Sequence, residues 1–181
     1  MKTILAILFI LLNSSGTFIK QDSSVNQCEI LLQTVDLKLV RNDYKTAATD
    51  NTRLPSFNKL LSGVTKKDRV ELIAYKGAGI ALKGKYAKKI KEKRDFFIEG
   101  VSLVEYAITK APENIELRFI RIGIQENTPK LLKYKANIEA DKALILANYN
   151  TIKEKDLKKH IVAYIQQSTV FTAQEKQKIA Q

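Results

Sequence analysis

The stretch of residues 68–87 restricts the folds open to this chain more than any other. On a helical wheel its apolar side chains cover both sides, and the narrow polar strip holds only Arg69, Lys76 and Lys83. A helix that is apolar almost all round is normally buried among neighbours. Close approach of those neighbours must offset about 1 kcal/mol for each interior glycine, and the sequence supplies the small residues for it: Ala74, Gly77, Ala78, Gly79 and Ala81. We therefore predict a buried central helix, started by a capping box at Thr65–Asp68.

The next helix, from about residue 90 to residue 111, is apolar on one side only. Its apolar residues fall within one arc of roughly 160°: Phe96, Phe97, Gly100, Val101, Leu103, Val104, Ala107, Ile108 and Ala111. A residue before proline is disfavoured in the α region, so Ala111-Pro112 should end this helix. We expect the two helices to pack together as a hairpin.

A third helix is predicted over residues 114–126. Glu116 lies alone inside its apolar arc, and because a buried carboxylate needs a partner, we expect it to meet a cation or backbone N–H groups. Arg118, Arg121 and Gln125 form a polar stripe on the opposite side at spacing i, i+3, i+7. Arginine suits bidentate contacts to carboxylate or phosphate, so the stripe is a candidate binding site. The alternative is internal pairing with acids of adjoining helices, namely Glu99, Glu105 or Glu116.

The second of these helices resembles the B helix of a tetratricopeptide repeat. The matching positions are Gly100, Val104, Ala107 and Pro112. This resemblance implies antiparallel helical hairpins stacked into a bundle, with a groove that contacts a protein partner. The chain departs from the pattern in two ways. Its spacing from Gly77 to Pro112 is about eleven residues longer than the 34-residue repeat allows, and a valine stands where an aromatic residue is usual.

A longer string also resembles a group of uncharacterised secreted helical proteins of Gram-negative bacteria. The residues that carry this resemblance are Tyr75–Ala78, Glu116–Arg121 and Ile124–Pro129. It implies export and a tetratricopeptide-like fold, but no activity.

The first 16 residues have the pattern of a secretory signal peptide. A positive start at Lys2 precedes nine apolar residues, Ile4–Leu12, and Ser14 and Gly16 suit the cleavage site. A membrane span needs about 20 apolar residues, so we expect no transmembrane span in the mature chain. The expected location is periplasmic or secreted. Lipidation at Cys28 is disfavoured because no small residue precedes it, and a single cysteine forms no internal disulfide.

The remaining sequence predicts more helices and no convincing strand. Residues 17–24 form a polar leader, and residues 25–181 a single all-helical domain. Further helices are expected over about residues 25–48, 54–61, within 129–149, and 154–166, with a terminal helix after a capping box at Thr172–Glu175. The predicted fold is an all-α, tetratricopeptide-like bundle of about seven or eight helices. His160, the one histidine, is expected to be exposed.

The net charge of +12 comes from 31 basic and 19 acidic residues, and most of the basic ones are lysine. Lysine excess in an exported protein favours solubility or attraction to anionic surfaces over nucleic-acid binding. The densest basic run lies between the first two helices, where Lys88, Lys89, Lys91 and Lys93 are candidate binding residues. The alternative is a solvated turn, although cations are unfavourable at a helix N-terminus.

Catalytic and cofactor motifs are not evident. The sequence holds no zinc cluster, nucleophile elbow or phosphate-binding glycine loop, and Gly77 and Gly79 lie inside a helix. We therefore expect no enzyme and no cofactor. The predicted function is an exported binding or scaffold module that contacts a protein partner through a helical groove. The alternative is a basic surface that binds anionic lipid or polysaccharide at the cell envelope.

Overall fold

A computed structural model of the chain describes residues 35–180, and this part contains eight α-helices and no strand. The helices are α1 Leu37–Thr49, α2 Leu54–Leu60, α3 Val70–Tyr86, α4 Ile90–Lys110, α5 Ile115–Asn127, α6 Ile138–Asn148, α7 Lys155–Gln167 and α8 Ala173–Ala180. Short 3₁₀ turns follow α1, α5 and α6, at Asn51–Arg53, Lys130–Leu132 and Tyr149–Thr151. The predicted all-α fold with seven or eight helices is confirmed. Across residues 35–180, every helix is too short or too polar to cross a membrane.

The N-terminal predictions lie largely outside the described residues. These include the signal peptide over residues 1–16, the polar leader over residues 17–24, Cys28, and the first part of the helix expected from residue 25. In the described part that helix begins only at Leu37, because the Asp36 side chain caps it by accepting a hydrogen bond from the Lys38 N–H at 2.9 Å.

The centre of the molecule is the hairpin of α3 and α4. Their backbones come so close at one crossing that a Cβ placed on Gly100 would lie 2.5 Å from the Gly77 carbonyl oxygen and 2.5 Å from the Ala81 nitrogen. A Cβ on Gly84 would lie 2.8 Å from the Lys93 carbonyl oxygen. Residue 84 thus faces residue 93 and residue 77 faces residue 100, which makes the pair antiparallel. The predicted close packing on a glycine-rich helix is confirmed.

The start of α3 differs from the prediction. Asp68 accepts hydrogen bonds from both the N–H and the hydroxyl of Thr65, at 2.7 and 2.8 Å. These bonds close a separate turn, and the helix begins at Val70, where Arg69 makes no side-chain cap. The Lys76 ammonium instead ties α3 to the preceding segment through the Val64 carbonyl at 2.6 Å. Thr65 and Asp68 therefore stabilise a turn that precedes the helix, and they do not cap it.

Helix α5 lies between two hydrophobic cores. Leu117, Ile120 and Ile124 belong to a first core built with α1 to α4. Phe119 and Ile122, on another face of α5, belong to a second core built with α6, α7 and α8. Helix α5 therefore contributes side chains to both halves of residues 35–180.

The second half confirms one local prediction and corrects another. The capping box before α8 forms, because Glu175 accepts from the Thr172 N–H at 2.7 Å and the Thr172 hydroxyl accepts from the Glu175 N–H at 3.3 Å. His160 was expected to be exposed, but it is half-buried with its ring edge-on to Phe119 at 5.1 Å between centroids. An aromatic neighbour on another helix covers it, which the pattern of α7 alone does not reveal.

Candidate binding surfaces

The polar stripe of α5 faces the interior. Arg121 is only 4% exposed, and its guanidinium donates to both carboxylate oxygens of Asp141 on α6, at 2.7 and 2.6 Å, and to Glu105 on α4 at 2.7 Å. Every nitrogen of this guanidinium therefore has a protein acceptor. Asp141 is fully buried and balances the charge at the same point.

Arg118 is engaged in the same cluster. Its Nη1 donates to Asp141 at 3.0 Å, and its Nε and Nη2 donate to the Pro112 carbonyl oxygen at 2.9 and 2.7 Å. The internal-pairing alternative thus describes both arginines. Of the acids expected as partners, Glu105 takes part, whereas Asp141 was not anticipated because α6 is distant in sequence. We call Arg118, Arg121, Asp141 and Glu105 the Arg–Asp cluster.

Gln125, the third member of the stripe, is fully buried. Neither its Oε1 nor its Nε2 has a hydrogen-bond partner among residues 35–180. An unsatisfied buried polar group costs about 1–3 kcal/mol. Gln125 is therefore placed as an interior residue, one helical turn beyond Arg121, and not on an open surface.

Glu116 meets the cation predicted for it. Arg41 of α1 binds it in a bidentate pair with both contacts at 2.6 Å, and the Tyr75 hydroxyl of α3 donates to the same carboxylate at 2.9 Å. Burial, together with the negative charge of Glu116, raises the pKa of Tyr75 well above its ordinary value. The phenol therefore stays a donor, and the trio joins α1, α3 and α5.

The candidate lysines between α3 and α4 lie together on the surface. Only residues 87–89 connect the two helices, and Lys88, Lys89, Lys91, Lys93 and Arg94 are all exposed. We call residues 88–94 the basic tip. Its one acid, Glu92, is half-buried and lies 3.4 Å from the Lys89 ammonium. Lys89, the residue before α4, makes no side-chain cap, so the positive end of the helix dipole adds to these charges.

An apolar residue stands in the middle of the basic tip. Ile90 is 86% exposed, although its side chain is among the most costly to leave in water. The apolar arc predicted for α4 begins at Phe96 and leaves Ile90 out. The signal was present, since Ile90 is a lone apolar residue in the run Lys88–Arg94.

A second surface feature is an open groove between α2 and the last turns of α3. Its volume is about 480 Å³. Leu54, Pro55 and Tyr86 give it an apolar floor, and Lys59 and Lys83 flank it with positive charge. None of the residues that line this groove is acidic.

No protein-family model, curated protein or solved structure matches this chain.

Proposed function

We propose that this chain is an exported, non-catalytic binding module, and that the basic tip docks on an anionic surface of the cell envelope. The observation that carries the proposal is the concentration of charge. The seven basic residues and one acid of residues 83–94 supply half of the net charge of +12. They do so on a hairpin held rigid by the glycine contact between α3 and α4. The signal-like leader and the resemblance to secreted tetratricopeptide-like proteins support export.

The geometry favours docking over a merely solvated turn. Cations at the start of a helix repel its dipole and lower its stability. Five exposed cations within seven residues also repel one another, and among the described residues only Lys89 of these five lies within ion-pair distance of an acid, 3.4 Å from Glu92. An anionic surface relieves both costs. Each cation near such a surface contributes about 1 kcal/mol, so the tip alone supplies several.

The first test measures binding to vesicles of phosphatidylglycerol and phosphatidylcholine, and to immobilised dextran sulfate. All variants carry the same N-terminus, so any contribution of the leader cancels. Binding should be strong at about 50 mM salt and lost by about 500 mM, because the Debye length falls to about 4 Å and the attraction between exposed charges is screened. Replacing Lys88, Lys89, Lys91 and Lys93 with glutamine should weaken binding by at least about 100-fold.

A matched control changes the net charge equally at other places. Lys67, Lys153, Lys155 and Lys178 are exposed and lie outside the basic tip. Their replacement with glutamine should weaken binding only slightly, through the general field of the protein. Equal losses in the two quadruple variants would refute a specific role of the tip. Absence of binding by the unaltered chain would refute the proposal altogether.

A second candidate function is contact with a protein partner through the groove between α2 and α3. The groove's apolar floor between Lys59 and Lys83 suits an acidic peptide segment with an apolar side chain. Such docking buries apolar surface and largely survives at high salt. It therefore predicts a partner that stays bound at about 500 mM salt and is lost when Asn51→Trp fills the groove. Retention of a partner by Asn51→Trp would exclude this groove.

A further inference from the structure

We propose that the anionic surface is a lipid bilayer, and that the molecule inserts Ile90 of the basic tip and Leu131 of the turn after α5 into it together. This inference rests on the proposed docking of the basic tip. It adds the identity of the surface and a second point of contact. The two residues are the most exposed large apolar side chains of residues 35–180, at 86% and 88%.

The two turns share one feature, an exposed apolar residue between lysines. Leu131 lies between Lys130 and Lys133, both of them exposed, and no acidic residue occurs from Asn127 to Asn137. Ile90 likewise lies between lysines. Apolar side chains surrounded by lysine and arginine are typical of surfaces that lie in the headgroup region, where the apolar group enters the acyl boundary and the cations bind phosphates.

The fold places both turns on one side of α4. Ile90 and Phe97 are seven residues apart, so they lie within about 20° of each other on the helix and about 10 Å apart along it. The Phe97 ring packs edge-on against Tyr134, with centroids 5.5 Å apart. Tyr134 comes three residues after Leu131. Its hydroxyl donates a hydrogen bond to Glu105, which lies on the same side of α4. The Leu131 turn therefore borders the face of α4 that begins with Ile90.

The charges of α4 are sorted in the same sense. Arg94 comes four residues after Ile90 and four residues before the half-exposed Ile98, so it lies between them on the helix surface. The acids Glu92, Asp95 and Glu99 form a stripe roughly 150° away from Ile90 and Arg94. One side of the first turns of α4 is therefore apolar and basic, and the acids point away from it. With this distribution of charge, the apolar and basic side of α4 can lie against an anionic bilayer while the acids face water.

The exposed isoleucine and leucine separate a bilayer from a soluble anionic polymer. A sulfated or carboxylated polysaccharide offers charge but no apolar phase, so Ile90 and Leu131 would add nothing to its binding. In a bilayer each side chain leaves water for the acyl boundary. Replacing Ile90 and Leu131 with alanine should weaken vesicle binding about tenfold for each residue. The same variants should bind dextran sulfate as the unaltered chain does.

Insertion is measured directly with single tryptophans, because the natural sequence contains none. Ile90→Trp and Leu131→Trp should both shift their emission to shorter wavelength on vesicles that contain phosphatidylglycerol. Both should be quenched by lipids brominated on the acyl chains. Thr109→Trp, an exposed site at the other end of α4, should do neither. Because all three positions are exposed, the substitutions leave the cores intact.

Each outcome decides a different part. Vesicle binding that the alanine variants leave unchanged, with no tryptophan shift, overturns insertion while the charge-led docking of the basic tip stands. A shift at Ile90→Trp without one at Leu131→Trp overturns the two-point contact. Failure of the unaltered chain to bind either vesicles or dextran sulfate overturns both proposals.

Discussion

Helix α4 meets α3 in a different way from that in which α5 meets α6. Between α3 and α4 the closest approach is between backbone atoms, at Gly77 and Gly100, and within the described residues no ion pair joins these two helices. Between α5 and α6 the contact is charged, since Arg118 and Arg121 surround the buried Asp141. The close approach of α3 and α4 requires residues without side chains at the crossing, whereas the contact of α5 with α6 requires that every buried charge is paired.

The two interfaces should therefore be damaged by opposite kinds of substitution. The glycine interface tolerates no added atom at Gly100, because the nearest neighbours of a new Cβ there would be backbone atoms of α3 that cannot rotate away. The Arg–Asp cluster tolerates no removed charge, because the remaining partner would be left buried and unpaired. Additions should damage the first interface and deletions the second.

The largest effect is expected from Asp141→Ala. It leaves Arg121 buried with Glu105 as its one remaining acid and should lower the free energy of unfolding by about 3–5 kcal/mol. Urea denaturation followed by circular dichroism measures this change. Glu139→Ala, two residues earlier on α6 and mostly exposed, is the control and should cost less than about 1 kcal/mol. A loss for Asp141→Ala no larger than that of the control would contradict the cluster's role.

The next effect is expected from Gly100→Ala. The new Cβ would lie 2.5 Å from two backbone atoms of α3, so the helices must separate, at a cost of about 1–3 kcal/mol. The same denaturation experiment applies. An unchanged or increased stability would show that the helices can move apart freely. The claim that added atoms damage this interface would then be refuted.

Gln125→Met should raise stability by about 1 kcal/mol. The carboxamide is buried without a partner, and methionine has a similar shape without polar atoms to satisfy. This substitution separates the unpaired member of the α5 stripe from the paired arginines beside it. A loss of stability would mean instead that an internal water satisfies the carboxamide.

Gly123→Ala should raise stability by about 0.5–1 kcal/mol. A Cβ at Gly123 would meet nothing within 4 Å, so only the helical preference of alanine acts. The change is chemically identical to Gly100→Ala and also lies inside a helix, so the opposite signs of the two variants isolate the effect of the close contact. Equal signs would refute the steric explanation.

The smallest effect concerns pH. Burial lowers the pKa of His160 below its ordinary value of 6.5, and the charges of Lys45 and Arg41 lower it further. Below pH 6.5 the unfolded chain therefore takes up the proton more readily, and stability falls until the pH reaches the lower folded pKa. The free energy of unfolding should be lower at about pH 5 than at about pH 7.5, and His160→Gln should make this difference smaller. An identical pH dependence in the variant would contradict burial of the imidazole.

The local helices were predictable because each carries its own periodicity. The apolar surround of α3, the one-sided pattern of α4, the proline after it and the isolated Glu116 all follow from neighbouring residues. The partners of the buried charges were not predictable. Asp141 lies 20 residues from Arg121 in sequence, and the two meet only because the chain folds α6 back onto α5. Exposure of Ile90 and cover of His160 likewise depend on what packs nearby. Sequence periodicity therefore indicates which face of a helix is buried, but not what buries it.

Because α5 gives one face to each hydrophobic core, loss of packing in either half of residues 35–180 would expose an apolar face of the helix on which the other half is built. We therefore expect a single cooperative melting transition, with no stable fragment on either side of α5. Limited proteolysis should accordingly release no stable fragment that ends on either side of α5.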